Sequence, residues 1–127
     1  MLQTFEKLPS KNLQGFIVWV PILRNDTSAA ALEQISAEPA DSRLIDGWDS
    51  DKSIGNAFRQ TLGLRRTAWD VYMIYDSDVQ WTDEKPPPPS FWMHQLSGNS
   101  GADPKLALQD EEFLNATAHQ LQALEQR

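Results

Sequence analysis

The run Gly15–Leu23 (GFIVWVPIL) constrains the fold more than any other part of the chain, because it carries no charge and is almost entirely apolar or β-branched. Such a run is typical of a strand covered on both faces, as in a parallel sheet packed between helices. Pro21 cannot donate to a ladder, so the strand ends there or turns its N–H side to an edge. Asn25–Ser28 supplies good N-cap residues for the alanine-rich helix Ala29–Ala37, which places a helix directly after the strand.

The same alternation continues in the next part of the chain. Ser42–Trp48 predicts a short second strand. Asp49 or Asp51 is placed to cap a helix over Lys52–Leu62, whose apolar residues share one face. Gly63 stands where a left-handed C-cap belongs, so we expect the helix to end there.

Trp69–Tyr75 has the strongest strand pattern, with β-branched and aromatic residues concentrated in one short segment. Asp76-Ser77 predicts a turn into a short strand at Asp78–Trp81, which would form a hairpin. Four prolines, Pro86–Pro89, favour an extended polyproline conformation, and the apolar stretch Phe91–Leu96 follows them.

The two ends of the chain are both predicted to be helical. Met1–Leu8 has helical spacing and lies within an N-terminal helical extension, residues 1–10. Residues 82–102 form a Pro/Gly-rich connection, and Asp103-Pro104 then opens a helix that runs to about Gln126. The length suits a single domain, residues 1–127. The order α-β-α-β-α-β-β-α predicts an α/β fold in which one mixed β-sheet is flanked by helices.

Composition excludes several kinds of chemistry. The 127 residues include no cysteine, so the chain itself supplies no disulfide, thiol nucleophile, dithiol redox pair or thiolate metal site. A net charge of -7 repels phosphate backbones, so we expect no nucleic-acid partner. No apolar run is long enough to cross a membrane, and Met1–Ser10 lacks the features of a signal peptide. These features predict a cytoplasmic protein with no membrane partner.

Several aromatic phrases, together with this order of elements, resemble a small group of uncharacterised bacterial proteins of the thioredoxin-like superfamily. The phrases lie between residues 15 and 96 and are WVPIL at Trp19–Leu23, GWD at Gly47–Asp49, IGNAF at Ile54–Phe58, AWDVYMIYD at Ala68–Asp76 and FWMHQL at Phe91–Leu96. The resemblance implies a thioredoxin-like fold. It implies no thiol–disulfide chemistry, because the position of the Cys-x-x-Cys motif corresponds to about Leu23–Ser28 and holds no cysteine.

Two pairs of neighbouring tryptophan and aspartate form the first candidate site. Trp48-Asp49 closes one predicted strand, Trp69-Asp70 opens another, and Arg59 lies on the helix between them. Two carboxylates converging with an arginine could bind a cationic or polyol ligand, or act as an acid and base pair. The structural alternative is that Asp49 caps a helix and Asp70 forms an ion pair.

The second candidate follows the prolines and includes Phe91, Trp92 and His94. A histidine titrates near neutrality, so His94 with Asp70 or Asp49 is the predicted catalytic set if the protein is an enzyme. The structural alternative is that the aromatic residues cover one edge of the sheet and that His94 satisfies a backbone group. No metal site or cofactor is expected, because His94 and His119 lack a ligand spacing and no phosphate-cradling glycine loop occurs.

These observations leave three hypotheses of function. The first is a non-enzymatic binding protein, a homodimer whose contact is an aromatic surface around Trp81, Phe91 and Trp92, with a further protein partner or a small molecule as its ligand. The second is a small hydrolase or isomerase that uses His94 with Asp70 or Asp49 in a tryptophan-lined pocket. The third, an accessory subunit of a larger redox enzyme, depends on fold analogy alone.

Overall fold

Helices and strands alternate through most of the chain, which confirms the mixed α/β class. The computed structural model describes all residues, Met1–Arg127. The four helices are α1 (Leu2–Lys7), α2 (Ser28–Ala37), α3 (Ser53–Thr61) and α4 (Asp110–Glu125). The four strands are β1 (Gly15–Trp19), β2 (Leu44–Trp48), β3 (Val71–Ile74) and β4 (Phe91–His94).

The first half of the chain is a β1-α2-β2 unit with parallel strands. The register runs from Gly15 opposite Leu44 to Trp19 opposite Trp48. A helical crossover is the connection that parallel strands require. The crossover begins at Thr27, whose side chain accepts a hydrogen bond from the Ala30 N–H at 3.1 Å and so caps α2.

The second half contains an antiparallel pair whose second strand differs from the prediction. β3 pairs with Phe91–His94, whereas Asp78–Trp81 forms no strand. The Val79 N–H donates to the Asp76 carbonyl, which makes this segment a turn. The proline segment then returns the chain to β3, and the Tyr75 hydroxyl holds it by donating to the Pro87 carbonyl at 2.7 Å. Residues 82–102 are therefore more than a connection, because they include β4.

The four strands form two separate two-stranded sheets rather than the single mixed sheet predicted. β1 pairs only with β2, and β3 pairs only with β4. The prediction that Gly15–Leu23 is covered on both faces is also wrong for three of its residues, since Phe16 and Leu23 are each 65% exposed and Val18 is 40% exposed. The apolar run predicted a strand correctly, but a run that is apolar on both faces does not show whether a neighbour covers each face.

Nearby residues determine where α3 begins and ends, and its first turn packs closely against the chain around Thr67. The Asp49 carboxylate accepts the Gly55 N–H at 3.0 Å, as a capping side chain does. The φ angle of Gly63 is +67°, which matches its predicted role as a left-handed C-cap. A Cβ at Gly55 would lie 2.6 Å from a methyl carbon of Thr67 and 2.9 Å from the Ala68 carbonyl oxygen, so only glycine fits there.

The final helix begins later than predicted. Asp103 does cap the chain there, by accepting the Lys105 N–H at 2.9 Å, but only a single 3₁₀ turn, Pro104–Leu106, follows. The chain then pairs with the end of β4, where the Leu108 N–H donates to the His94 carbonyl at 2.7 Å. This pairing requires an extended backbone, so α4 restarts at Asp110. Its buried Phe113 packs against Tyr72 and Phe91.

Arg43 ties the N-terminal helix to the start of β2. Its guanidinium donates to the carbonyl oxygens of Phe5, Leu8 and Ser10 and also pairs with the Asp41 carboxylate at 2.6 Å. The hydrogen bonds from Arg43 hold the pKa of Asp41 below its usual range. Phe5 is buried, so the extension packs on its own chain.

Candidate functional site

A long apolar groove of about 730 Å³ separates the two strand pairs. One wall is β1, with Phe16 and Val18, and the other is β3, with Val71 and Met73. Helices α3 and α4 and the segment around Trp81 complete the groove. Pockets lined mainly by apolar side chains are the usual binding sites of proteins, so this groove is the first candidate site.

The β1–β2 sheet also presents an apolar face to solvent. Phe16 pairs with Ile45 and Val18 pairs with Gly47, so their side chains share one face. Ile45 is 47% exposed, and a Cβ at Gly47 would meet no atom within 4 Å. Asp46, the only charged residue of the two strands, lies on the opposite face, where its carboxylate accepts the Trp19 indole N–H at 3.0 Å.

The predicted aromatic surface divides among three places. Trp81 is 46% exposed, lines the groove and packs edge-on against Phe58, with 5.6 Å between ring centres. Its indole N–H donates to the Asp83 carbonyl. Phe91 and Trp92 are neighbours on β4 and therefore point to opposite faces. Phe91 is half-buried beside Phe113, and Trp92 is half-buried with its ring centre 5.8 Å from that of His94.

Trp48-Asp49 and Trp69-Asp70 are not joined into one site by any hydrogen bond or ion pair. Asp49 is buried and is used by α3, because its second oxygen accepts the Ser53 hydroxyl at 3.2 Å. Trp48 is half-buried at the end of β2, and Trp69 is exposed before β3. Arg59 is exposed on α3, and its guanidinium makes no hydrogen bond or ion pair.

Asp70 lies in an unusual backbone conformation with no charged partner. Its φ angle is +50°, a region that residues other than glycine rarely adopt, and neither ion pair in the structure involves it. Partial burial raises the pKa of Asp70 above its ordinary value. The Asp70 carbonyl accepts the Gln95 N–H at 2.9 Å, which extends the β3–β4 ladder by one residue.

His94 is buried at the end of β4, and both of its ring nitrogens are occupied. Nδ1 accepts the Leu96 N–H at 3.0 Å, so the ring proton lies on Nε2, which is 2.8 Å from the Asp103 carbonyl oxygen. A general base needs a free nitrogen that reaches its substrate. In this arrangement the His94 ring bonds to two backbone groups, those of Leu96 and Asp103, which matches the structural alternative for this residue.

A second cleft, of about 790 Å³, lies at the other side of β1 and holds more polar groups. There the Tyr72 hydroxyl donates to Gln95 Oε1 at 2.7 Å. Burial, and then the negative charges of Asp70 and Asp110, raise the pKa of Tyr72. No three His, Asp or Glu side chains converge closely enough to hold a metal ion.

Sequence reasoning missed Phe16, Val18 and Ile45 as site residues because it expected helices to cover the strands that contain them. A usable signal was present, since no charged residue occurs between Asn12 and Leu23 to protect an exposed strand edge.

No helix is both long and apolar enough to span a membrane. Comparisons with protein-family models, with curated proteins and with solved structures each returned no match.

Proposed function

We propose that this chain is a non-redox, thioredoxin-like interaction protein of the cytoplasm that works as a homodimer. The exposed apolar face of β1–β2 is the dimer contact in this proposal. The observation that carries the proposal is the exposure of Phe16, Val18 and Ile45 on one face of the β1–β2 sheet. Phe16 and Val18 also form one wall of the groove, so the dimer contact lies beside the groove opening.

The order of elements supports the thioredoxin-like part of the proposal. A parallel β1-α2-β2 unit is followed by α3 and then by an antiparallel β3–β4 pair with α4 after it. The hydropathy patterns of the sequence predicted the same order, with the last strand at Asp78–Trp81 instead of Phe91–His94. The loop before α2 holds no thiol; there the Asp26 carboxylate accepts the N–H groups of Ile22 and Leu23.

The total exposed surface supports association. A compact monomer of this mass, 14.4 kDa, is expected to expose roughly 6,800 Å², whereas the chain exposes 8721 Å². The excess of roughly 1,900 Å² is larger than the area of about 800 Å² that each partner buries in a standard interface. Burying part of it against a second copy would bring the surface closer to that of a compact protein.

The shape and charge of the face suit contact with an identical face. A two-fold axis brings the same patch of each copy together, and two sheets pack well face to face. The face carries no charge, so the like charges of two acidic chains stay away from its centre. The hydrogen bonds of His94 further favour binding over acid–base catalysis.

Solution mass tests this proposal directly. Light scattering coupled to size exclusion is expected to give twice 14.4 kDa for the natural chain and 14.4 kDa for Ile45→Glu. The matched control is Leu32→Glu, which places the same charge on α2 at another exposed apolar residue and is expected to leave the dimer intact. A natural chain that is monomeric at tens of micromolar would overturn the proposal.

A further inference from the structure

The groove is bounded on both sides by strand edges that have no partner. β1 pairs with β2 on one side only, β3 pairs with β4 on one side only, and both strands line the same groove. No hydrogen bond crosses from one strand to the other. Unpaired edges of this kind are ready templates for another strand.

The register identifies the main-chain groups at each edge. Gly15 and Trp19 bond to β2, through the Gly15 N–H to the Arg43 carbonyl and the Asp49 N–H to the Trp19 carbonyl. Because backbone groups alternate along a strand, those of Phe16 and Val18 point away from β2.

The same argument applies to β3. The Gln95 N–H donates to the Asp70 carbonyl, so even-numbered residues of β3 face β4, and the groups of Val71 and Met73 point away from it. Four residues therefore present unpaired N–H and C=O groups at the two edges, and none of these groups bonds to a side chain.

We infer that the groove binds an extended peptide segment of a partner protein, which adds as a strand between β1 and β3. One inserted strand would satisfy both edges and join the two sheets into one. The inference rests on the proposed binding role and adds a second kind of partner to it. The segment would match the five residues of β1 and would be apolar, because the groove floor is formed by side chains such as Phe58 and Trp81.

Charge beside the groove selects one end of that segment. Asp76 is the only charged side chain in the groove lining and is paired with Arg127 at 3.8 Å, while Asp78, Asp83 and Glu84 are exposed in the segment that follows, against Lys85 alone. Complementary charge speeds association and selects partners. The partner segment is therefore apolar in its centre and basic at the end that lies beside residues 76–84, and a probe with lysines at both ends serves either strand direction. A second copy, which would bring the same acidic rim, fits the groove less well.

A peptide titration on the full chain tests the inference. The probe is a capped peptide with valine and threonine alternating over five central positions and lysine pairs at both ends, and its control is the same peptide with alternate amides N-methylated. Calorimetry is expected to show binding of the first peptide and at least about tenfold weaker binding of the second, since methylation removes N–H donors but keeps the side chains. Equal affinity, or no binding of either peptide at millimolar concentration, would overturn the inference.

Two variants show where the peptide binds and separate peptide binding from dimer formation. Val18→Pro removes a donor at the open edge and no bond to β2, so it is expected to weaken peptide binding by about tenfold. Ile45 does not line the groove, but Phe16 and Val18 belong to both surfaces. Ile45→Glu is therefore expected to bind the peptide as tightly as the natural chain or more tightly, and weaker binding would count against the groove as the site. A monomeric natural chain that binds the peptide would refute the dimer alone. Amide contacts between Phe16 or Val18 and Val71 or Met73 in the free protein would refute strand insertion.

Discussion

The guanidinium carbon of Arg43 lies 4.8 Å from the centre of the Phe5 ring, while the same side chain donates to the Phe5 carbonyl oxygen at 2.7 Å. One residue thus holds both the ring and the backbone of α1. The planar fork of an arginine can serve several acceptors and stack on a ring at once, which a lysine cannot do.

Replacing Arg43 with lysine is expected to release α1 from the rest of the chain. A lysine would keep the charge but lose the fork that spans three carbonyl oxygens and Asp41. Trypsin should then cut faster after Lys7 and Lys11, and the amides of α1 should exchange faster with solvent. Arg59→Lys is the control, because Arg59 is exposed and unbonded. Unchanged cleavage in the Arg43 variant would contradict the role given to this residue.

His94→Ala is expected to destabilise the fold by about 2–4 kcal/mol. It removes two hydrogen bonds to backbone groups and leaves a cavity where the buried imidazole ring lay. The measurement is urea unfolding followed by tryptophan fluorescence. His119→Ala, on the exposed side of α4, should change the free energy of unfolding by less than about 0.5 kcal/mol. Equal stability of the two variants would show that the hydrogen bonds of His94 do little for the fold.

Asp70→Asn is expected to stabilise the protein more at neutral pH than at acid pH. Burial raises the pKa of Asp70 in the folded chain, so the folded state holds this proton more tightly than the unfolded state does. Stability is therefore lost as pH rises from the ordinary value of 3.8 through the raised one, and the asparagine variant avoids that loss.

The measurement is the melting temperature of the Asp70 variant and of the natural chain from pH 3 to pH 7. The difference between the two is expected to grow with pH. Asparagine also tolerates the positive φ angle well, so a constant gain at every pH is the backbone effect, and only the gain that grows with pH reports the carboxylate. A gain that is largest at pH 3 would contradict the expected sign.

Gly55→Ala is expected to cost about 1–3 kcal/mol of stability, because the new methyl group would press on Thr67 and on the backbone of Ala68. Gly98→Ala is a matched control with nothing within 4 Å of the added carbon, and its effect should stay within about 0.5 kcal/mol. Thermal melting of both variants gives the comparison. A harmless Gly55→Ala would mean that the Thr67–Ala68 segment moves aside easily.

Features that depend on nearby residues were predictable from the sequence. Asp49 as a cap and Gly63 as the end of α3 follow from interactions within one or two helical turns. The position of β3 followed from its concentration of β-branched and aromatic side chains. Local physical chemistry was sufficient in each case.

Features that depend on distant pairing were not predictable. Val79 and Trp81 have the composition of a short strand, and nothing in the sequence shows that Phe91–His94 reaches β3 first across the proline segment. The role of Arg43 was missed because its acceptors are mostly carbonyl oxygens, which every residue has. The exposure of Phe16 and Ile45 was missed for a similar reason. The exposed fraction of a side chain depends on what packs against it, and sequence composition does not record that.

The separation of the strands into two pairs also bears on how the chain reaches its folded state. Each pair joins segments that are near one another in sequence, so each closes a short loop and neither has to wait for the other. The chain therefore has two independent starting points for folding, one in each half. The apolar edges of both nuclei stay open until the two halves pack together, which makes the newly made chain most prone to aggregation before that step.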